Sequence, residues 1–170
     1  MIDSLSTLKR DYSMNDITTF DVEVVTDHEP HVFVVELFKY VDIEAEVEDI
    51  DGIQQMRTNS FAITVFDQAH DTISAELGIE PNVFIQFRPK QNLQTDVIAI
   101  KHLLEAINHW LKIIDNDFAL VYNGETVMIY RKQKQIYVNV ASRGWTEARL
   151  SIINVPYEEV SMPALDETTD

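Results

Sequence analysis

The chain has 170 residues, no cysteine, and a formal net charge of -16, from 29 acids against 13 Lys plus Arg. That length fits one domain with a sizeable core, and the lack of cysteine excludes a disulfide scaffold, a thiolate metal site and a catalytic thiol. So acidic a surface repels nucleic acid and anionic lipid and attracts basic proteins, while the same charge also serves plain solubility.

Residues 1–19 read as a polar lead-in, with Leu5, Leu8 and Tyr12 at helical spacing and no apolar core of the kind a signal peptide needs. No apolar run reaches the length of a membrane span, so the expectation is a cytoplasmic protein without a membrane partner. Phe20-Asp21-Val22-Glu23-Val24 alternates apolar and acidic, which predicts a strand with one wet face. Asp27 suits a helix cap and Pro30 a first helical turn, ahead of an apolar stripe at Val32, Phe33, Leu37, Phe38 and Val41. The predicted helix runs from Pro30 to Val41.

Asp42 to Asp51 holds six acids and no base: Asp42, Glu44, Glu46, Glu48, Asp49 and Asp51. Ile43, Ala45 and Val47 alternate with them, so the segment reads as an acid-rimmed edge strand or an acidic loop. Like charges along a strand cost stability, and they also block edge-to-edge aggregation.

Phe61 to Phe66 reads as a strand. Asp67 to Pro81 reads as irregular, with a short helix near Thr72 to Leu77 that Gly78 ends. Val83 to Phe87 is a further strand, stopped at Arg88-Pro89. Val97, Ile100, Leu104, Ile107, Leu111 and Ile114 then recur every three or four residues, predicting an amphipathic helix over Asp96 to Asp115. Asn92 or Thr95 would cap it, Leu103 and Trp110 widen the stripe, and Lys101, Glu105, Asn108 and Lys112 face water.

From Phe118 the pattern becomes a three-strand meander. Asn123-Gly124 accepts the positive φ angles of a tight hairpin turn. A two-residue turn there puts Phe118, Leu120, Val127 and Ile129 on one face, with Leu120 opposite Val127. Ala119, Val121, Thr126, Met128 and Tyr130 take the other face. Arg131 to Lys134 is a basic turn, Gln135 to Val140 the third strand, and Leu150 to Val155 a last one.

Motifs that carry chemistry are scarce. His28 and His31 are spaced to share a metal, but no second pair completes a site and a capping turn explains them. His102 and His109 share one face of the long helix. Glu158-Glu159 and the Asp115/Asp117 pair offer carboxylates, which among 29 acids have little specificity. Arg131, Lys132 and Lys134, flanked by Tyr130 and Tyr137, have the make-up of a single-strand nucleic-acid site, but three cations against the overall charge favour a solvated turn. Trp145 is either an interface anchor or a cover for the core edge.

Three blocks together resemble a known family. They are Leu77-Gly78-Ile79-Glu80-Pro81 leading into Val83 to Arg88, the long helix ending in Trp110-Leu111, and Asp117 to Glu125 followed by Tyr130-Arg131 and Ile136 to Asn139. This set is similar to the SitI-type immunity proteins, which protect bacteria from their own swarm-inhibition toxins. The resemblance spans about Phe20 to Trp145, and residues 1–19 and the acid run at Asp42 to Asp51 depart from it. It implies a binding protein with no catalytic motif to carry over.

The expectation is therefore an α+β fold: a mainly antiparallel sheet of about six strands covered by two helices. The divisions are a lead-in (1–19), a single domain (20–156) and an acidic C-terminal tail (157–170). The expected function is neutralisation of a cognate bacterial toxin by stoichiometric binding to a basic protein, without catalysis, cofactor, metal or nucleic acid. Glu44, Glu46, Glu48, Asp49 and Asp51 are the expected contacts, with Glu125 and Trp145 as lesser ones. The alternatives are an acidic adaptor or structural module for a basic partner, and a hydrolase whose carboxylates converge only in the fold.

Overall fold

The structure is a computed structural model and describes residues 18–29, 32, 35–36, 46–50, 53–58, 61–66, 73–89 and 93–162. Among these residues the strands are β1 (Phe20–Val24), β2 (Glu46–Ile50), β3 (Ile53–Arg57), β4 (Phe61–Phe66), β5 (Val83–Pro89), β6 (Phe118–Tyr122), β7 (Thr126–Lys132), β8 (Gln135–Asn139) and β9 (Glu158–Val160). Helix α1 spans Leu93–Ile113, a short α2 spans Glu147–Leu150, and a 3-10 helix spans Ile73–Leu77. The strands make one sheet in the order β2-β3-β4-β5-β1-β6-β7-β8-β9, antiparallel except for the β8–β9 pair. The fold is α+β, with more strands than expected. β3 and β9 had no counterpart in the sequence reading.

Two local meanders build this sheet. β2 to β5 run as successive neighbours, and so do β6 to β8. β1 joins them, pairing β5 on one side and β6 on the other. Its ends are tied by side chains. Asn82 Oδ1 accepts from Thr26 N at 2.8 Å while Asn82 Nδ2 donates to the Thr26 carbonyl, and Asn123 Oδ1 accepts from Thr19 N at 2.9 Å. β1 is therefore central and buried along its whole length, and Asp21 and Glu23 do not face water as the alternation suggested. Alternation identifies the strand but cannot tell which later segment will cover its polar side.

α1 covers one face of the sheet. Ile100, Leu103, Leu104, Ile107, Trp110 and Leu111 pack on Phe20, Val22, Ile63, Ile85, Phe87, Phe118 and Leu120 in one continuous core. Val97 is 68% exposed, outside the stripe assigned to it. Asn108, expected in water, is buried in a reciprocal amide pair with Asn154, bonding its side chain at 2.9 Å and its backbone N–H at 3.0 Å. α1 starts at Leu93, so Thr95 lies inside it. Asn92 and most of the Pro30 to Val41 segment lie outside the described residues, although Val32, Val35 and Glu36 are helical.

The β6–β7 hairpin turns as expected and pairs differently. Asn123 and Gly124 both have positive φ (53° and 66°), and the Glu125 N–H closes the turn on the Tyr122 carbonyl. Leu120 faces Ile129, however, and Val121 faces Val127, because a bulge adds Met128 to β7. Met128 thereby enters the main core and Val127 moves to the other face with Ala119 and Val121.

Two later expectations also change. Residues 151–155 are not a strand: Thr146 caps α2 by accepting from Arg149 N, and the last strand is β9. β7 runs through Lys132, so the next turn is Gln133-Lys134 alone, both with positive φ.

Candidate functional site at the acidic edge and the second sheet face

Among the described residues β2 is one edge of the sheet, and Glu46–Ile50 is strand rather than loop. Its backbone register sets Glu46 opposite Arg57, Glu48 opposite Gln55 and Asp49 opposite Gln54. Ile50 pairs with Ile53; Asp51 and Gly52, between them in sequence, lie outside the described residues, and Asp-Gly is a hairpin signal the sequence reading did not use. Glu44 and Asp51 lie outside the described residues. The opposite edge, β9, carries Glu158 and Glu159, both exposed. Acids therefore mark both sheet edges.

The other expected contacts lie elsewhere. Glu125 is exposed at the tip of the β6–β7 hairpin, separated from β2 by β3, β4, β5 and β1 in the sheet order. Trp145 is half-buried against the main core, and its indole N–H donates to the Met128 carbonyl at 3.2 Å. The sheet does not gather these residues at one place.

The expected basic turn also disperses. Arg131 is buried, 1% exposed, below the C-terminal end of α1. Its guanidinium lies 5.1 Å from the Trp110 ring centre and 5.7 Å from that of Phe118, and donates to the carbonyls of Asn116 (2.8 Å) and Leu111 (3.2 Å). A cation is favoured at helix carbonyls that lack intrahelical partners. Burial lowers the Arg131 pKa, and Asp115 and Asp117 oppose that shift. Lys132 donates to the Leu77 carbonyl at 2.8 Å, and Lys134 lies 3.8 Å from Asp115 in an exposed pair. Tyr130 and Tyr137 stack at 4.7 Å on adjacent strands. Only Lys134 of the three cations stands in the turn.

Two carboxylates do converge in the fold, where the sequence was read as solvated. Asp21 and Glu23 lie on the sheet face away from α1 and are 6% and 2% exposed. Glu23 accepts the amide hydrogens of Ile73 and Ser74, so both its oxygens anchor the 3-10 helix. Burial pushes the Asp21 carboxyl up to about 6; a hydrogen bond from Gln86 opposes the shift and the neighbouring Glu23 charge adds to it. Among the described residues, no group of three or more His, Asp or Glu is placed to hold a metal, and no helix is long and apolar enough to cross a membrane.

No curated protein and no solved structure matches the chain. A family model described as SitI3-like matches residues 19–149, which runs from the start of β1 through α1 and both meanders into α2. Over that span of strand, helix and Asn-Gly hairpin, the chain belongs to the SitI3-like family.

Proposed function

We propose that the protein is an immunity-type protein that neutralises a cognate bacterial toxin by stoichiometric binding in the cytoplasm. The family match over residues 19–149 carries this reading. The contact we infer is electrostatic: the acidic segment from Glu44 to Asp51, part of it on edge strand β2, meets basic residues around the toxin's active site. A toxin that cleaves nucleic acid is basic for the sake of its substrate, so an acidic inhibitor gains association rate and selectivity against it. The described carboxylate pair does not favour a hydrolase, since Glu23 is committed to two backbone amides.

A second reading has its own support, the acids on both β2 and β9. On that reading the charge protects sheet edges from pairing with other chains. One variant separates the two. Reversing Glu44, Glu46 and Glu48 to lysine should slow association with the toxin by an order of magnitude or more at low salt, and by less at physiological ionic strength, where screening acts over about 8 Å. Stopped-flow rates across a salt series read this directly. Unchanged rates in this variant, with self-association when the same three acids are neutralised to glutamine, would assign the segment to edge protection.

A further inference from the structure

The 3-10 helix Ile73–Leu77 is held over the second sheet face by a charge at each end. At its start, the Glu23 carboxylate of β1 accepts from Ile73 N at 3.3 Å and Ser74 N at 2.9 Å. At its end, Lys132 of β7 donates to the Leu77 carbonyl at 2.8 Å. The signs suit the free amides at one end and the free carbonyls at the other. Between these clamps Ile73 and Leu77 rest on a small apolar cluster of Ala119, Val121 and Val127. Gly78, at φ 73°, turns the chain away, and a Cβ there would stand 2.5 Å from Lys132 Nζ.

One clamp has a poorly compensated neighbour. Asp21 lies two residues from Glu23 on the same face of β1, and its Oδ1 has no hydrogen-bond partner among the described residues. The buried Ser74 hydroxyl has none either. The groups on this face around Asp21 are Glu23 on its own strand, Gln86 and the exposed Arg88 on β5, Ala119 and Val121 on β6, Tyr130 and Lys132 on β7, and the exposed Glu76 on the 3-10 helix. Gln86 bonds Asp21, Lys132 is engaged at Leu77, and Glu23 repels a charged Asp21.

We propose that Ile73–Leu77 is a proton-sensitive latch: charging Asp21 beside Glu23 favours release of the segment from the β6–β7 face, and a proton on Asp21 favours the closed form. Like charges repel where water is excluded, and opening the latch frees the Glu23 carboxylate from the Ile73 and Ser74 amides and admits water beside Asp21. The closed form binds the Asp21 proton more tightly than an open form with an ordinary carboxyl, so opening rises with pH. With a closed value of about 6 and full return to the ordinary 3.8 as the limit, linkage gives a rise in opening of up to about tenfold between pH 5 and pH 7.5.

Native-state hydrogen exchange tests this at the Ser74 amide, with the Leu120 amide of β6 as a reference for the sheet. After correction for intrinsic exchange, Ser74 protection should fall by up to about tenfold from pH 5 to pH 7.5 and stay well below that of Leu120 at both values. Asp21→Asn should keep Ser74 protection high at both values. Equal Ser74 protection in the wild type at the two pH values would overturn the latch. So would an unchanged pH dependence in Asp21→Asn, or Ser74 protection equal to that of Leu120 at both values, which would mean that the segment opens only with the whole sheet.

Discussion

The two faces of the sheet are stabilised by different physics. The α1 face is a continuous apolar core with one buried cation, Arg131, at its rim. The other face has a small apolar cluster, and polar pins hold its cover in place: Glu23, Lys132 and, farther along, Asn139, which bonds the Val127 carbonyl and both backbone groups of Met162. Burial on the first face is non-directional and graded. On the second, each pin is a specific bond whose loss leaves a buried group unsatisfied. The first face should therefore respond to volume and the second to charge and pH.

The largest expected effect is on the α1 face. Leu104 is fully buried, so Leu104→Ala should cost about 2–5 kcal/mol in urea denaturation through lost burial and a residual cavity. A loss under about 1 kcal/mol would mean that α1 packs loosely on the sheet. Next comes Arg131. Arg131→Ala removes two hydrogen bonds to carbonyls and the contacts with Trp110 and Phe118, and should cost about 2–4 kcal/mol. Arg131→Lys should recover only part of that loss, because an ammonium cannot reproduce the planar fork. Full recovery would reduce the site to simple charge.

The third prediction has the opposite sign. The folded Asp21 pKa of about 6 lies above its ordinary 3.8, so the folded state holds an extra proton between those values. Stability then declines as pH rises through that window and stays lower at neutral pH. Asp21→Asn, nearly isosteric and always neutral, should stabilise the protein by about 1–3 kcal/mol at pH 7 and make little difference at pH 4. Thermal melts at both pH values check this, and destabilisation at pH 7 would mean that the charged form makes bonds a neutral amide cannot. The smallest effect belongs to Glu125→Ala at the exposed hairpin tip, expected to change stability by less than about 0.5 kcal/mol.

The sequence was most legible where one local pattern decides the outcome. The α1 stripe, the strands at Phe61 and Val83, the Asn123-Gly124 turn and Gly78 as a terminator all rest on neighbours within a few residues. It was least legible where distant segments decide. Glu23 is bonded by a 3-10 helix some fifty positions away, and Arg131 lies under a helix end that only the fold brings above it. The bulge at Met128 leaves no period-breaking residue in the sequence, so the faces of Val127 and Met128 were exchanged. At the acidic edge the alternation left strand and loop both open for Glu46–Ile50, and β3 went unread although Asp51-Gly52 precedes it. Nothing local indicates whether such acids serve a partner or guard an edge.

The central claim is stoichiometric neutralisation, and a titration tests it most directly. The proposed cognate toxin is held at a fixed concentration well above the dissociation constant, and its activity is followed as the protein is added. The account predicts a linear fall that reaches zero at a fixed molar equivalence, with full activity regained when the complex is separated. Loss of activity at a small fraction of an equivalent would contradict it by indicating turnover. Full activity in excess protein would contradict the immunity reading itself.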